Sequence, residues 1–311
     1  MKPVLSLVVL GFHNFDAVTR KCLDSLAPWL AHPEVEVLVL DNGSTDNSAE
    51  LTKLWCAQHS VVRCLISEKN LGFAGGMNWG CSHAKGDWLL LVNNDTVFPA
   101  YSIDALLRVL KEAPDQVAML GPVTNAAGNG QRLWKPDATH AEWLHIGKKL
   151  HEHPTGHLMP AYRCDFFCIA IRSDVWKKLG GLDEAFGLGY YEDFDFSLRL
   201  RNAGFDQMIT EDVFVLHTGS ASFKGSAAAR ALIKRNKKLL KYKHPEARFE
   251  HTRLGNLAVL QAYRHLKTSD SWTPALQYRE SLRIGALRED QPRSFIKRWL
   301  WQRKVSSLLK R

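Results

Sequence analysis

Long hydrophobic runs are absent from this 311-residue sequence. The longest apolar stretch, residues 166–171, has six residues, whereas a helix that crosses a bilayer needs about 20. The N-terminal MKPVLSLVVLGFHNFD has a short apolar stretch and lacks the small-residue cleavage site of a secretion signal. We therefore predict a protein without a membrane span, whose first apolar stretch is a strand.

Cysteine is scarce, and several common motifs are missing. The six cysteines form no CxxC pair and are too few for a disulfide framework, so a reducing cytoplasm is the expected compartment. The sequence has no internal repeat and no low-complexity tract. It contains neither a GxGxxG fingerprint nor a P-loop, so a nucleotide site must be built in another way.

Basic residues outnumber acidic ones, 41 to 32, for a net charge of +9. This excess favours an anionic partner, such as a nucleotide, a nucleic acid or an acidic membrane surface. Seven of the basic residues lie in residues 291–311, which contain no acid. A nucleic-acid-binding protein is expected to carry a basic stripe on its folded domain instead, so we predict no nucleic-acid partner.

Strands and helices alternate in the first hundred residues. The predicted strands cover residues 4–10, 35–40, 61–67 and the segment GDWLLLVNNDT, and the predicted helices cover residues 16–30 and 48–59. The first helix is expected to be capped by Asn14 or Asp16. This βαβαβ order predicts an α/β fold with a mainly parallel, doubly wound sheet and helices on both faces. Ligands bind such sheets beyond the carboxyl ends of the strands.

The pattern changes after residue 95. We predict helices at 103–113, 173–179 and 190–204 and strands at 117–121, 164–171 and 213–216. A polar region up to residue 163 carries five histidines whose spacing matches no zinc finger, so a variable acceptor-side loop is favoured over a zinc site. From residue 226 the chain reads as helical and basic. We place a domain boundary near residue 222, with halves 1–97 and 98–222 before it and a helical region 223–311 after it.

Polar residues follow the predicted strands. Asp41 directly follows a buried strand, where its carboxylate can accept hydrogen bonds from a uracil or thymine imide or from a ribose; a turn with a helix cap at Asp46 is the alternative. The glycine loop NLGFAGGMNWG allows backbone to approach a phosphate, although a tight turn also explains it. Asp95, in LLLVNNDT, suits a hard divalent cation, whereas the neutral Asn93 and Asn94 offer weaker contacts.

Five segments occur in an order that resembles a known family. The segments VVLGFHN, VLDNGSTDNS, NLGFAGG, LLLVNNDT and YYEDFDFSLRLRNAGF resemble the family 2 glycosyltransferases of the GT-A fold, in particular the rhamnosyltransferase-like branch, over about residues 3–222. The resemblance implies a Rossmann-like, mainly parallel mixed sheet with a C-terminal helical extension. It also implies inverting, metal-dependent transfer of a sugar, with rhamnose among the candidates, from a UDP- or dTDP-sugar. The implied acceptor is a saccharide, expected to be a lipid-linked cell-surface polysaccharide or lipopolysaccharide.

The resemblance assigns the donor side of the site. It implies that Asp41 binds the base, and that Asn70, Gly72, Asn94 and Asp95 line the nucleotide and diphosphate. Asp95 takes the place of the metal-binding acid of the DxD motif, whose first acid is here Asn93. His217, in VLHTGS, matches a histidine that completes the metal site in some members, and this donor set fits Mn²⁺ or Mg²⁺. An Arg-Asn pair recurs near residue 235, so Arg235 is assigned to the diphosphate; a solvated basic face is the alternative.

The acceptor side is assigned to Glu192 and Asp193, which match the family's ED motif. Asp193 is the implied base that takes the acceptor's proton, and Glu192 orients the acceptor or Asp193. No second acid is required, because a metal can neutralise the leaving diphosphate. Alternatively, acids in a first helical turn stabilise any helix by about 0.3–1 kcal/mol each.

The C-terminal segment 291–311 interleaves basic residues with Phe295, Ile296, Trp299 and Leu300. Such a segment can lie on an anionic bilayer, so we predict a peripheral protein on the cytoplasmic face of the inner membrane; a helix that packs on protein is the alternative. Two other functions are alternatives to this enzyme. A sugar nucleotidyltransferase would resemble sequences with a basic, glycine-rich loop after the first strand, where GFHNFD stands here. Asn93 favours an inactive sugar-nucleotide binder, whereas Asp95, Asp193 and His217 favour an enzyme.

Overall fold

The computed structural model describes residues 2–219, 226–249, 252–269 and 271–309. The strands among them are β1 Leu5–Gly11, β2 Val35–Asp41, β3 Arg63–Ile66, β4 Trp88–Asn93, β5 Thr96–Val97, β6 Val117–Val123, β7 Leu158–Pro160, β8 Cys168–Arg172, β9 Asp206–Phe214 and β10 Leu216–His217. The α-helices among them are α1 Arg20–Leu26, α2 Ser48–Ala57, α3 Gly72–His83, α4 Ser102–Glu112, α5 His140–Glu152, α6 Ser173–Leu179, α7 Glu192–Asn202, α8 Ala227–Lys243, α9 Thr252–Thr268, α10 Pro274–Glu289 and α11 Phe295–Leu309.

Eight strands form one mixed sheet in the order β3-β2-β1-β4-β8-β6-β9-β7. The ladders β3–β2, β2–β1, β1–β4 and β6–β9 are parallel, whereas β8 and β7 run antiparallel to their neighbours. Along β1, Val8 and Leu10 belong to one hydrophobic core and Leu7 and Val9 to another. Because successive side chains of a strand point to opposite faces, helices must cover both faces of the sheet. The predicted α/β fold with a mainly parallel sheet is confirmed.

A separate two-stranded ribbon brings distant segments to the carboxyl end of β4. Strand β10 pairs antiparallel with β5, so that His217 lies opposite Thr96. Asp95 immediately precedes β5, and the backbone N–H of Thr218 donates to its carbonyl. The ribbon therefore sets the residues around 217 beside those that follow β4.

The first predicted helix is broken into pieces. Residues Phe15–Thr19 form a π-helical turn, α1 follows, and Ala27–Trp29 form a 3₁₀ turn. The predicted cap is wrong: Asn14 has a φ of 55° and makes no side-chain cap bond, while Asp16 pairs with Arg20. Pro28 at the start of the last turn accounts for one break, since proline cannot donate the hydrogen bond of an α-helix interior.

The polar region before residue 163 was wrongly predicted to be a loop. It contains α5, which begins with a reciprocal capping box between Thr139 and Glu142. The helix packs on the sheet, where Trp143 stacks on Phe214 of β9 with ring centroids 6.0 Å apart. The histidines of this region therefore lie mostly on a helix and its flanks. Across the described ranges, no three His, Cys, Asp or Glu side chains are grouped closely enough to hold a metal ion.

Helices dominate the C-terminal region, as predicted. Helix α9 packs against α10, α11 and β7. Leu257, Tyr263, Leu276 and Trp301 from these helices share one hydrophobic core with the sheet. The predicted boundary near residue 222 lies outside the described residues. No helix in the described part of the chain is long and apolar enough to cross a membrane.

Candidate active site

His217 and Asp95 meet at the carboxyl end of β4. The His217 Nε2 atom lies 3.2 Å from Asp95 Oδ2, and Nδ1 lies 2.8 Å from the carbonyl oxygen of Ala126. Because a carbonyl oxygen only accepts hydrogen bonds, Nδ1 carries the hydrogen. If the ring carries no second proton, Nε2 presents its lone pair toward the carboxylate. The ring also stacks on Phe167, at 5.1 Å between centroids, which fixes its plane.

This pair fits a hard or borderline divalent cation. An imidazole lone pair facing a carboxylate oxygen is a suitable donor set for Mn²⁺ or Mg²⁺, and the bond from Nδ1 to Ala126 is the kind of support that orients metal-binding histidines. Asp95 and His217 would supply two ligands, so the rest must come from diphosphate oxygens and water, as is usual for Mg²⁺ sites. Asn93 lines the adjacent cleft but carries no charge.

Asp41 is buried at the end of β2, with 1% of its surface exposed. Its Oδ1 accepts from the Ser44 backbone N–H at 2.9 Å, and its Oδ2 accepts from the Ser44 hydroxyl at 2.6 Å. The carboxylate thus shapes the turn after β2, and each oxygen retains a second acceptor site. A base contact by Asp41 stays a prediction.

Asn42 joins this turn to the glycine loop and was not predicted as a site residue. Its amide donates to the Gly72 carbonyl at 3.0 Å and to Asn70 Oδ1 at 3.3 Å, and its Oδ1 accepts from the Leu71 N–H at 3.1 Å. The structure therefore brings Asp41, Asn70 and Gly72 together. The DNG tripeptide indicated a turn, but it did not indicate the hydrogen bonds from Asn42 to the glycine loop.

Gly72 begins α3 with a φ of +72°, and a Cβ atom there would lie 2.3 Å from the Gly187 carbonyl oxygen. Only glycine tolerates both this conformation and this contact. The other two predicted nucleotide ligands, Asn94 and Arg235, make hydrogen bonds within the protein. The Asn94 amide donates to Thr19 Oγ1 at 2.8 Å, and Arg235 donates to the Ala185 carbonyl at 2.8 Å. Their contacts with a nucleotide remain predictions.

Two tyrosines in the left-handed region precede α7. Tyr190 and Tyr191 have φ values of 71° and 78°, which are costly for residues with a Cβ atom. Asn236 of α8, fully buried, holds this turn: its amide donates to the carbonyls of Phe186, Gly189 and Tyr190 at 2.7, 2.8 and 3.0 Å. Sequence reasoning selected the neighbouring Arg235 and missed Asn236, although the Arg-Asn pair was the available signal.

The two acids that open α7 differ in their titration. Burial, followed by the charge of Asp193, raises the pKa of Glu192 to about 8, whereas burial raises the pKa of Asp193 to about 6. Glu192 is 6% exposed, and the side chain of Asp193 is 19% exposed. Burial thus raises both pKa values, and more strongly that of Glu192, so Glu192 is the acid that keeps its proton to higher pH.

Asp195, one turn further on, has a structural role. It is fully buried and accepts from Arg199 Nε, four residues further along the helix, at 2.7 Å. His244 Nε2 lies 2.8 Å from its other oxygen. These contacts tie α7 to the C-terminal end of α8.

One cleft of about 1080 Å³ joins the two sides of the site. Asn93 and His217 line it from the strand-end side, and Glu192 and Asp193 line it from α7. Segments more than 120 residues apart along the chain therefore converge, since His217 contacts Asp95 across a separation of 122 residues. Arg163, which also lines the cleft, was not predicted.

Comparison with known proteins identifies the family of this chain. A family model described as glycosyl transferase family 2 matches residues 7–179, more than half of the chain. The chain belongs to glycosyltransferase family 2. The resemblance to this family that the sequence predicted is confirmed, and the relatives of the chain include a rhamnosyltransferase.

Two relatives of this family 2 member illustrate the range of sequence identity and coverage. Glycosyltransferase GlyG of Streptococcus pneumoniae is 29% identical over 119 residues, 38% of this chain and 39% of its own length. The N-acetylglucosaminyl-diphospho-decaprenol L-rhamnosyltransferase of Mycobacterium tuberculosis is 25% identical over 248 residues, 70% of this chain and 76% of its own length. The chain thus spans under half of the length of GlyG.

A solved structure supports the GT-A fold of this family 2 glycosyltransferase. The mannosyltransferase PcManGT of Pyrobaculum calidifontis, in complex with GDP-Man and Mn²⁺, superposes with a TM-score of 0.57 at 17% identity. The match covers 100% of this chain and 82% of the mannosyltransferase. At this identity the likeness establishes the fold alone.

Proposed function

We propose that this family 2 glycosyltransferase is an inverting, metal-assisted enzyme that transfers one sugar from a UDP- or dTDP-sugar to a lipid-linked saccharide on the cytoplasmic face of a membrane. The single observation that carries the proposal is the shared cleft, which Asp193 lines together with Asn93 and His217. In the proposed reaction, this cleft holds the proton acceptor Asp193 together with His217 of the cation-binding pair.

In the proposed reaction the acceptor hydroxyl attacks the anomeric carbon opposite the nucleoside diphosphate. A new C–O bond forms as the bond to the diphosphate oxygen breaks, and the configuration inverts. Asp193 takes the hydroxyl proton, while the neutral Glu192 can donate a hydrogen bond that orients the acceptor. When bound by Asp95 and His217, a divalent cation supplies the charge that stabilises the departing diphosphate.

The cleft also supports a lipid-linked acceptor. Leu188 and Ile233, at its rim, are 52% and 37% exposed, and Tyr190 and Tyr191 line it nearby. Aromatic rings suit the faces of sugars, and exposed apolar side chains at a cleft suit an apolar chain. The mycobacterial relative is named for an acceptor of this class.

A donor panel tests the proposal together with the role of Asp95. We expect the enzyme to hydrolyse UDP- or dTDP-sugars in preference to GDP-sugars, and to do so faster with Mn²⁺. In Asp95→Ala we expect the metal-dependent donor affinity to fall by at least about tenfold, since even indirect disturbance of a metal site costs about 10–100-fold. Rates and donor affinity are measured with and without Mn²⁺. Asp87→Ala is the matched control, because Asp87 lies just before β4 begins and pairs with Lys2 at the surface. Equal donor affinity with and without metal in the wild type would remove the metal role.

Helix α11 supports the proposed membrane contact. Phe295, Ile296, Trp299 and Leu300 are 82%, 69%, 48% and 55% exposed. Trp301, Val305 and Leu308, on the other side of the helix, are buried. One face thus packs on the protein, while an apolar face with neighbouring basic residues is left in solvent. Both sequence alternatives, packing and membrane contact, can therefore hold for the same helix.

We expect Trp299→Ser/Leu300→Ser to reduce binding to anionic phosphatidylglycerol vesicles by at least about tenfold, because burying each of these side chains is worth about 1.5–3 kcal/mol. Vesicle co-sedimentation measures the effect. These substitutions spare the packed face, which deletion of residues 291–311 would remove. Leu54→Ser/Val61→Ser is the control, since both residues are more than half exposed elsewhere on the surface. Unchanged binding would assign membrane contact to another surface.

A further inference from the structure

Arg163 is held between two carboxylates at the catalytic cleft. Its Nη1 atom lies 3.0 Å from Asp165 Oδ1 and 3.8 Å from Asp193 Oδ2, and Nη2 donates to the Gly128 carbonyl at 3.0 Å. The guanidinium also lies over the Phe194 ring, 5.5 Å from its centroid. With a side-chain exposure of 22%, it is largely shielded from water. Its charge therefore acts on both acids at short range.

Asp165 is fixed by the segment that follows β6. Its N–H donates to Gln131 Oε1 at 2.7 Å, and its carboxylate accepts from the Gly128 N–H. Gln131 is fully buried and bonded to Asn129, so this support is rigid. Arg163 consequently cannot turn fully toward Asp193, because Asp165 holds it at the shorter distance.

We propose that Arg163 and Asp165 form an opposed pair of positioning residues that sets the ionisation of Asp193. Arg163 favours the charged carboxylate, and Asp165 limits this effect by sharing the guanidinium. A lone arginine at this distance would make Asp193 a weak base, while its absence would leave Asp193 protonated in its shielded position. The inference rests on the proposed function only for its consequence, because the link between Arg163 and Asp193 is a property of the protein itself.

The other groups that face Asp193 do not replace this pair. Burial raises the pKa values of the Tyr191 phenol and the Cys164 thiol, so both are neutral at neutral pH. Glu192, on the same helix, is neutral below its raised pKa. For Asp193, burial raises the pKa most, Arg163 lowers it and Asp165 raises it. Arg163 and Asp165 are thus the charged neighbours whose removal should act in opposite directions.

The test compares Arg163→Met with Asp165→Asn. We expect Arg163→Met to raise the pKa of Asp193 by about one unit or more, since an opposite charge at this range lowers a carboxyl pKa by about 1–3 units. Asp165→Asn should lower it, and Arg163→Lys should restore most of the wild-type value. The pKa is read from ¹³C NMR titration of the aspartate carboxyl groups, with Asp193→Asn assigning the signal. A loss of packing alone would not produce shifts of opposite sign.

The same variants give pH profiles of kcat/KM for transfer, which separate the two proposals. Shifts in the NMR titration that the acid limb of the rate does not follow would support the present inference and count against Asp193 as the base. An Asp193 pKa that moves in neither Arg163→Met nor Asp165→Asn would overturn the inference whatever the activity. Arg172→Met is the matched control, because Arg172 pairs with Asp115 and Asp174 on the surface and should leave the Asp193 titration unchanged.

Discussion

Asp193→Asn is expected to reduce sugar transfer by about 10²–10⁴-fold, the range usually contributed by a positioned general base. Asparagine keeps the shape of the side chain but cannot take the acceptor's proton. Donor affinity should change little, because the proposed donor contacts are assigned to other residues, among them Asp41, Asn70 and Asp95. The measurements are transfer turnover with a saccharide acceptor and donor binding by calorimetry.

Asp174→Asn is the matched control for Asp193→Asn, because it separates a loss of catalysis from a loss of helix stability. Asp174 occupies the first turn of α6, as Asp193 occupies the first turn of α7, so both variants remove an acid that faces the positive end of a helix. Only the change in α7 should affect turnover. Equal turnover in Asp193→Asn and the wild type would take the role of base away from Asp193.

Arg283→Met is expected to lower the free energy of unfolding by about 3–5 kcal/mol, the usual result of removing one partner of a buried ion pair. Arg283 of α10 is fully buried, and its Nε donates to Glu211 Oε1 of β9 at 2.8 Å. Tyr263 of α9 donates to the other carboxylate oxygen. Without the arginine, Glu211 is left as a buried charge with a single neutral partner. Urea unfolding followed by circular dichroism measures the loss.

A second substitution, at Glu211, should recover part of the stability that Arg283→Met loses. Arg283→Met/Glu211→Gln removes the unpaired charge while keeping an acceptor for Tyr263, so we expect it to recover more than half of the lost stability. Arg264→Met, on the exposed side of α9, should change stability by less than about 0.5 kcal/mol, like most surface substitutions. A loss below about 1 kcal/mol in Arg283→Met would show that α10 does not depend on this pair.

The local sequence correctly predicted the elements that have a regular pattern of apolar and polar residues. Strands β1, β2 and β4 are nearly continuous apolar runs, and the polar residues that end them identified Asp41 and Asp95. Strand β9 was predicted to begin at residue 213 but begins at Asp206. Glu211 and Asp212 made this segment read as polar, although both are buried.

The reason for that failure is distance along the chain. The partners of these acids are Arg283 and Arg279, which lie 72 and 67 residues away, so no local window contains the compensation. The same holds for the site. Asn236 supports carbonyls 46 to 50 residues earlier, and its role depends on backbone geometry that composition does not encode.

The contact between Gly72 and Gly187 links the start of α3 to the segment that precedes α7. With no space for even one methyl group between them, the peptide that begins α3 and the peptide that leads toward α7 abut directly. Close-packed backbone transmits displacement rather than absorbing it. Any shift of the first segment, such as one caused by binding of the proposed sugar nucleotide, should therefore reach the second, which leads to the helix that carries Asp193, the proposed proton acceptor.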